Sequence, residues 1–117
     1  MGATTPTAPL PPRIEIPPGV GLALVDGEGI ALSAREHALL SALVVRRGRV
    51  IPREELYSAV WRGALRRGDR LVDVYVRKLR VKLAAARPGC EFIHTHTGLG
   101  YRFEPTRSPA FHKTETA

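Results

Sequence analysis

The chain has 117 residues, 44% of them hydrophobic and 25% charged, which predicts one small domain flanked by tails. No apolar run approaches the length that crosses a membrane, and the amino-terminal segment lacks the charged-then-apolar pattern of a signal peptide. A single cysteine, Cys90, excludes an internal disulfide and fits a reducing compartment. We therefore expect a cytoplasmic protein without a membrane segment.

The net charge of +7 is concentrated in one part of the sequence. Residues 62–83 contain eight lysines and arginines but only two aspartates, so the rest of the chain is nearly neutral. A focused basic surface indicates a polyanionic partner and steers association at low ionic strength. The alternative is a solvated helix face that is basic only for solubility.

Both ends of the chain have the composition of disordered segments. Residues 1–12 combine four prolines with threonine and alanine, which predicts a disordered tail or a linker. Residues 105–117 are polar and contain two prolines, which predicts a second disordered tail. The folded domain is therefore expected over residues 13–104.

Short strands are predicted first in the folded part. Residues 13–16 alternate in polarity, and the apolar runs 20–25 and 29–32 flank the turn sequence Asp26-Gly27. These signals together predict a small antiparallel sheet.

Two helices are predicted next. Ser33 and Glu36 have the spacing of a capping box, in which each side chain bonds the other residue's backbone amide. This pair predicts a first helix over about 34–47. Pro52 is typical of a helix start, and it predicts a second helix over about 53–61.

The third predicted helix, over about 69–86 with Asp69 as its N-cap, is amphipathic and basic. Its apolar residues recur at helical spacing and form a stripe that should face the core, made of Val72, Val76, Leu79 and Leu83. The opposite side presents cations and small apolar groups, from Arg70, Val74, Arg77, Lys78 and Val81. Such a face suits the major groove of DNA.

A hairpin is predicted after the third helix. Two alternating runs, 91–96 and 100–104, flank a turn that begins with Gly98. The complete order predicts an α+β domain with a three-helix core, a small amino-terminal antiparallel sheet and a carboxyl-terminal β-hairpin. This is the plan of a winged helix–turn–helix, whose last helix enters the major groove.

Four motifs resemble one protein family. Residues 32–36 resemble its opening L-T-x-x-E, and residues 48–56 resemble its segment G-x-V-x-x-R-E-x-L. Residues 72–83 resemble V-D-V-H-I-R-R-L-R-x-K-L, and residues 98–103 resemble G-x-G-Y-R-F. Over roughly residues 14–104 the chain is thus similar to the DNA-binding effector domain of OmpR/PhoB-type response regulators. The resemblance implies sequence-specific binding of double-stranded DNA in bacterial transcription control.

The resemblance implies that the third helix contacts the duplex through Arg70, Tyr75, Arg77, Lys78 and Arg80. Val74 lies among these cations, so a thymine methyl group is its natural partner, unless it is a chance exposed valine. Arg80 and Lys82 lie at the edges of the apolar stripe, where phosphates suit them better than bases.

The resemblance also implies contacts outside the third helix. Arg53 and Trp61 match positions that touch phosphates, although Trp61 suits the core equally well. In the wing, phosphate contacts are expected from Thr95 and Tyr101. Thr97 stands where the family often has an arginine that enters the minor groove, and threonine cannot read a narrow groove through charge.

Two further departures from the family pattern lie in the third helix. Tyr75 stands where histidine is common, which adds a larger ring with a hydroxyl donor. Lys78 replaces the second arginine of a pair, so a compact ammonium group stands where the family usually has a planar guanidinium that can donate two parallel hydrogen bonds. With the weaker wing, more of the specificity is expected to rest on this helix.

Arg62, Arg66 and Arg67 belong to a basic loop, 62–68, at the position where the family contacts RNA polymerase. The loop suits flanking DNA or an acidic polymerase surface, and the sequence leaves both open. The resemblance further implies head-to-tail pairing on direct-repeat DNA, with a monomer in its absence. A chain without a receiver domain is either an excised effector domain or a stand-alone regulator.

Two other functions stay open from the sequence. One is a protein-interaction module that contacts RNA polymerase or another partner through the basic loop, and the other is non-specific nucleic-acid binding. His94 and His96 leave one face of the predicted strand, but without a third ligand we expect exposed wing histidines rather than a metal site. Because no catalytic or phosphate-loop pattern is present, we expect no enzyme activity and no cofactor.

Overall fold

The computed structural model of the chain describes residues 10–19, 21–66 and 69–107. The elements in chain order are β1 (Ile14–Glu15), β2 (Leu22–Val25), β3 (Glu28–Ala31), α1 (Ala34–Val45), β4 (Val50–Ile51), α2 (Arg53–Trp61), α3 (Leu71–Ala86), β5 (Cys90–His96) and β6 (Gly100–Arg107). This order confirms the predicted α+β winged helix–turn–helix. Over the described residues, no helix is both long and apolar enough to cross a membrane.

The amino-terminal sheet has the strand order β1-β2-β3 and is antiparallel throughout. Asp26 and Gly27 join β2 to β3 with φ angles of 51° and 85°, which is the backbone geometry that a tight two-residue hairpin turn needs. The Asp26 carboxylate accepts a hydrogen bond from the Arg13 amide at 2.9 Å and pairs with Arg87 after α3. The turn therefore anchors this sheet to the end of α3.

Helix α1 begins with the predicted capping box. The Ser33 hydroxyl accepts from the Glu36 amide at 3.2 Å, and the Glu36 carboxylate accepts from the Ser33 amide at 2.8 Å. The helix ends at Val45, two residues before the predicted end, because the next amides bond carbonyls three residues back. Gly48, at φ 86°, then turns the chain so that its amide reaches β6.

Helix α2 has the predicted bounds, whereas α3 begins two residues later than predicted. Arg70, not Asp69, precedes the first helical residue. The Asp69 carboxylate still accepts from the Leu71 amide at 2.9 Å, so it satisfies one of the free amides at the helix start.

The core lies between the three helices and both sheets. The predicted apolar stripe of α3 is confirmed, because Val72, Val76, Leu79 and Leu83 are fully buried. The first sheet contributes Ala23 and Val25, and the second contributes Ile51 and Phe103. Helix α3 packs against α1, α2, β3 and β5, which makes it the central element of the fold.

The second sheet has the strand order β4-β6-β5, and β5 and β6 form the predicted hairpin. The predicted boundary at residue 104 is wrong, because β6 continues to Arg107 and pairs it with Cys90. Pro105 is buried within this strand, so it belongs to the domain rather than to a tail. At the other end, Pro12 is also buried. The remaining predicted tail residues, 1–9 and 108–117, lie outside the described residues.

A charged cluster joins the end of α1 to α2. The Glu55 carboxylate accepts from Arg46 at 2.8 Å and from Arg49 at 2.9 Å. Hydrogen bonds from Arg49 and Arg46 lower the pKa of Glu55 from 4.5 to about 2.

We expect Glu55→Gln to change how stability depends on pH. Since the folded-state pKa lies near 2 and the ordinary value is 4.5, the ion pairs stabilise the fold above pH 4.5, and this contribution is lost as pH falls towards 2. Urea unfolding should therefore show the wild type more stable at neutral pH, with the difference shrinking in acid. A difference that stays constant over that range would contradict the role of the carboxylate.

Candidate nucleic-acid interface

The outward side of α3 presents valines and cations on successive turns. Val74 and Val81 are 44% and 65% exposed, although valine is usually buried on a helix that packs on a core. Arg77 and Lys78 lie between them and are also exposed. Within the described part of the chain, neither cation forms an ion pair. We call these four residues the front of α3.

Arg70 extends this positive surface past the amino-terminal end of α3. It is exposed, and its charge contributes to lowering the pKa of Asp73 one turn further on. Arg66 is exposed beside it, and both arginines line a shallow depression that also contains Arg53 and three acidic residues, Glu54, Asp69 and Asp73. Exposed arginines therefore continue from the front of α3 towards the loop after α2, with carboxylates between them.

Tyr75 lies at the junction of α3 and α2 rather than on the open front. Its ring meets the Trp61 ring edge-on, with 5.5 Å between centroids, and the Lys78 ammonium lies 4.8 Å from the Tyr75 centroid. Trp61 stacks on Tyr57 at 5.3 Å and packs partly against the core. Of the two readings for Trp61, this packing favours the core.

Arg35, which the sequence analysis did not select, contacts the same carboxyl-terminal end of α2. Its guanidinium donates to the Val60 carbonyl at 2.9 Å and lies 5.5 Å from the Trp61 ring centroid. Nothing in the spacing of Arg35 within α1 signals a partner twenty-five residues further along the chain.

Asp73 connects three elements beside the front. Arg53 of α2 donates Nε to its carboxylate at 2.7 Å, and the Tyr101 hydroxyl of β6 donates to the same oxygen. Burial raises the pKa of Asp73, but the hydrogen bonds from Tyr101 and Arg53 and the charges of Arg53 and Arg70 outweigh it. The net pKa is below its ordinary value, so Asp73 is ionised at neutral pH.

The predicted phosphate contact of Tyr101 is not supported by this geometry. The residue is only 5% exposed, and its hydroxyl hydrogen is given to Asp73. Burial, followed by the hydrogen bond to Asp73, raises the pKa of the phenol. Arg53 retains an exposed fraction of 36%, so a phosphate contact is compatible with its ion pair.

Arg80 joins α3 to the wing. Its Nε and Nη2 donate to the Ile93 carbonyl at 3.2 and 2.8 Å, and Nη2 also donates to the Thr95 hydroxyl at 2.7 Å. The structure thus gives both Arg80 and Thr95 a partner inside the chain, and their phosphate contacts stay predictions. Their common role is to hold β5 against the helix.

Lys82 joins α3 to α1 and β3. Its ammonium donates to Glu36 at 2.6 Å and to the Ala31 carbonyl at 3.0 Å. Glu36 is 5% exposed, and although burial raises its pKa, the bonds from Lys82 and Ser33 bring the net value below the ordinary one. Lys82 therefore has a structural role through its bond to this carboxylate, and because its side chain is 38% exposed, the phosphate contact stays a prediction.

The tip of the wing is an exposed turn. Thr97 is exposed, and the nearby Leu99, which the sequence analysis did not select, is also exposed. A β-carbon at Gly100 would lie 2.0 Å from the Ile51 carbonyl oxygen, and the residue has φ 145°, so only glycine fits there.

The two wing histidines are half-buried, which corrects the expectation that they are exposed. His94 Nε2 lies 2.7 Å from the Glu104 carbonyl oxygen, and His96 Nε2 accepts from Arg102 Nε at 3.2 Å. Among the residues described here, no three metal-binding side chains are grouped.

Only part of the basic loop is described. Arg62 ends α2 in the left-handed region, at φ 56°, and both Arg62 and Arg66 are exposed. Arg67 lies outside the described residues. The fold therefore places two of the three predicted loop arginines at the surface, and Arg66 lies beside Arg70 at the start of α3.

These features define a winged helix–turn–helix whose central helix presents an open, basic front. Residues 27–103 match the protein family described as "Transcriptional regulatory protein, C terminal". The chain belongs to this family, which comprises the OmpR/PhoB-type DNA-binding domains.

Individual relatives agree with this assignment. The transcriptional regulatory protein CreB of Escherichia coli K12 is 42% identical over 72 residues, which cover 62% of this chain and 31% of CreB. The chain spans about a third of the length of the relatives that it matches.

Solved structures show the same fold. The DNA-binding domain of CpxR from E. coli superposes with a TM-score of 0.69 and 30% identity, covering 85% of this chain and 96% of that one. The DNA-binding domain of RstA from Klebsiella pneumoniae, solved in complex with the RstA box, has a TM-score of 0.67 and 30% identity. The match covers 77% of this chain and 89% of the RstA domain.

The two kinds of cation on α3 should differ in their effect on stability. Lys82→Ala leaves the buried Glu36 carboxylate without its lysine, so we expect a loss of about 1–3 kcal/mol in the free energy of unfolding. Arg77→Ala removes an equal charge from the open front, and we expect a change within about 0.5 kcal/mol. Urea denaturation of both variants measures the contrast, and equal losses would contradict the assignment of Lys82 to the fold.

Proposed function

We propose that this chain binds double-stranded DNA sequence-specifically and so regulates bacterial transcription, with α3 in the major groove. The observation that carries the proposal is the division of charge on α3. Arg77 and Lys78 on the front are exposed and form no ion pair among the described residues, while the partly exposed Arg80 and Lys82 are bonded to other groups of the domain. The RstA domain, which has the same fold, supports it because that domain was solved in complex with the RstA box.

The front of α3 suits direct reading of bases. Arg77 presents a planar guanidinium that can bond two acceptors of guanine, and such a contact discriminates between bases by about 1–3 kcal/mol. Val74 is exposed beside it and offers an apolar surface to a thymine methyl group. Arg70 and Lys78 lie on either side of Val74 and Arg77 in the sequence, and their positive charges would contact bases or phosphates there. Tyr75 borders the front and orients Lys78.

The surroundings of the front suit the phosphate backbone. Arg53 at the start of α2 would contact phosphates through the exposed part of its side chain. The wing would lie along the adjacent backbone or minor groove, where Thr97 and Leu99 at its tip are exposed. Phosphate contacts of this kind set register and orientation without reading sequence.

Finer partners can be proposed from the resemblance to the family. We propose that Arg62 and Arg66 contact either flanking DNA or RNA polymerase, and that two copies bind head to tail on direct repeats and separate without DNA. Such a regulator acts in the bacterial cytoplasm, where its DNA is. No enzymatic function is proposed, since the family is one of DNA-binding regulators.

Selection from random duplexes followed by a salt titration tests the proposal. The selected duplex should bind at least about 10³-fold more tightly than a scrambled one at physiological salt. Affinity for both should fall steeply as salt rises, because bound phosphates release counterions. Equal affinity for the two duplexes would refute specific regulation and favour non-specific nucleic-acid binding.

Arg77→Ala and Arg13→Ala form a matched pair for locating the interface. Both remove one exposed arginine charge, but Arg13 lies at the start of the amino-terminal sheet, away from the front of α3. We expect Arg77→Ala to relax the preference at one base position by about 1–3 kcal/mol, and Arg13→Ala to leave all preferences unchanged. Equal losses from both variants would indicate that only the total charge matters.

A further inference from the structure

Asp73 and Tyr101 form a direct bond between the helix that presents the front and the wing. Asp73 immediately precedes Val74 and lies one turn before Arg77, so it is on the flank of the front. Tyr101 lies on β6, the central strand of its sheet, where it pairs with Ile51 on one side and Thr95 on the other. A bond to this strand therefore connects α3 to the whole sheet.

The Tyr101 ring is enclosed by charge as well as by the core. The guanidinium carbons of Arg53 and Arg80 lie 5.5 and 5.7 Å from its ring centroid. Arg53 also bonds the carboxylate that receives the Tyr101 hydroxyl. The position of the ring is thus defined from α2 and α3 together.

A second attachment lies two turns further along the same flank of α3. Arg80 follows Asp73 by seven residues, so the two side chains leave the same side of the helix about 10 Å apart. Arg80 bonds the Ile93 carbonyl and the Thr95 hydroxyl of β5. Asp73 therefore holds the central strand of the sheet, and Arg80 holds its edge strand.

Two separated polar attachments restrict the angle of the hairpin to α3 more sharply than apolar packing does. The attraction between apolar side chains is nearly non-directional, so it restricts the angle of a hairpin on a helix less sharply than hydrogen bonds do. Hydrogen bonds restrict both distance and angle, and two of them fix an orientation.

We propose that Asp73 and Tyr101 are positioning residues that set the angle of the wing to α3, and thereby select which flanking base pairs the wing covers. This rests on the proposed function, because it concerns how the same DNA site is read. Neither side chain needs to touch DNA, since each acts through the elements that it joins.

Tyr101→Phe tests the proposal because it removes only the hydroxyl and keeps the ring. The matched control is Tyr57→Phe, which removes the same atom from a tyrosine whose hydroxyl has no hydrogen bond within the described residues. Asp73→Asn is a second variant, since the amide keeps the size and one acceptor oxygen but loses the charge that pairs with Arg53.

The first readout uses the free protein. Residual dipolar couplings measured by NMR report the angle between α3 and the β5–β6 hairpin. We expect this angle to change or broaden into a range in Tyr101→Phe and Asp73→Asn, and to stay at the wild-type value in Tyr57→Phe. A wild-type angle in both altered variants would overturn the proposal.

The second readout compares binding to duplexes that differ only at positions flanking the major-groove site. We expect Tyr101→Phe to lose about threefold to thirtyfold of the flanking preference and to keep the preferences set by Arg77. A variant that melts earlier but keeps every preference would show a merely structural role and overturn the proposal. A wild type without any site preference would refute the proposed function alone, because the couplings of the free protein still decide the orientation.

Discussion

The burial of one stripe of α3 is the constraint on which the rest of the structure depends. Val72, Val76, Leu79 and Leu83 are fully buried against α1, α2 and both sheets. Since successive residues of a helix are separated by about 100°, fixing this stripe also fixes which side chains face outward. The position of the front of α3 is therefore a consequence of core packing, and the same packing stabilises the fold.

Two partly desolvated carboxylates then divide the basic residues into two groups. Glu36 and Asp73 are ionised in partly desolvated positions, so each requires a cation, and Lys82 and Arg53 supply them. Arg80 is likewise bonded to the wing. Within α3, Arg80 and Lys82 are therefore bonded to other parts of the domain, while Arg77 and Lys78 on its front form no ion pair among the described residues. The basic residues of α3 thus divide into structural cations at its flanks and open cations on its front.

Much of the fold could be predicted because it follows from local signals. The capping box at Ser33, the bounds of α2, the stripe of α3 and the hairpin turn at Gly98 each depend on residues close in sequence. The partners of the flanking cations could not be predicted in this way. Lys82 and Glu36 are 46 residues apart. Helical periodicity places Lys82 at the edge of the apolar stripe, but it does not predict which residue Lys82 contacts. The extension of β6 was missed because prolines in a polar segment favour a tail.

The division between structural and open cations is tested most directly by NMR of the side-chain nitrogens. The signals of Arg77, Lys78 and Lys82 would be followed in the free protein and in its complex with a selected duplex. The signals of Arg77 and Lys78 should shift on binding, while the Lys82 ammonium should keep its free-state shift. A shift confined to Lys82, with Arg77 and Lys78 unchanged, would contradict the assignment of the front of α3 to DNA.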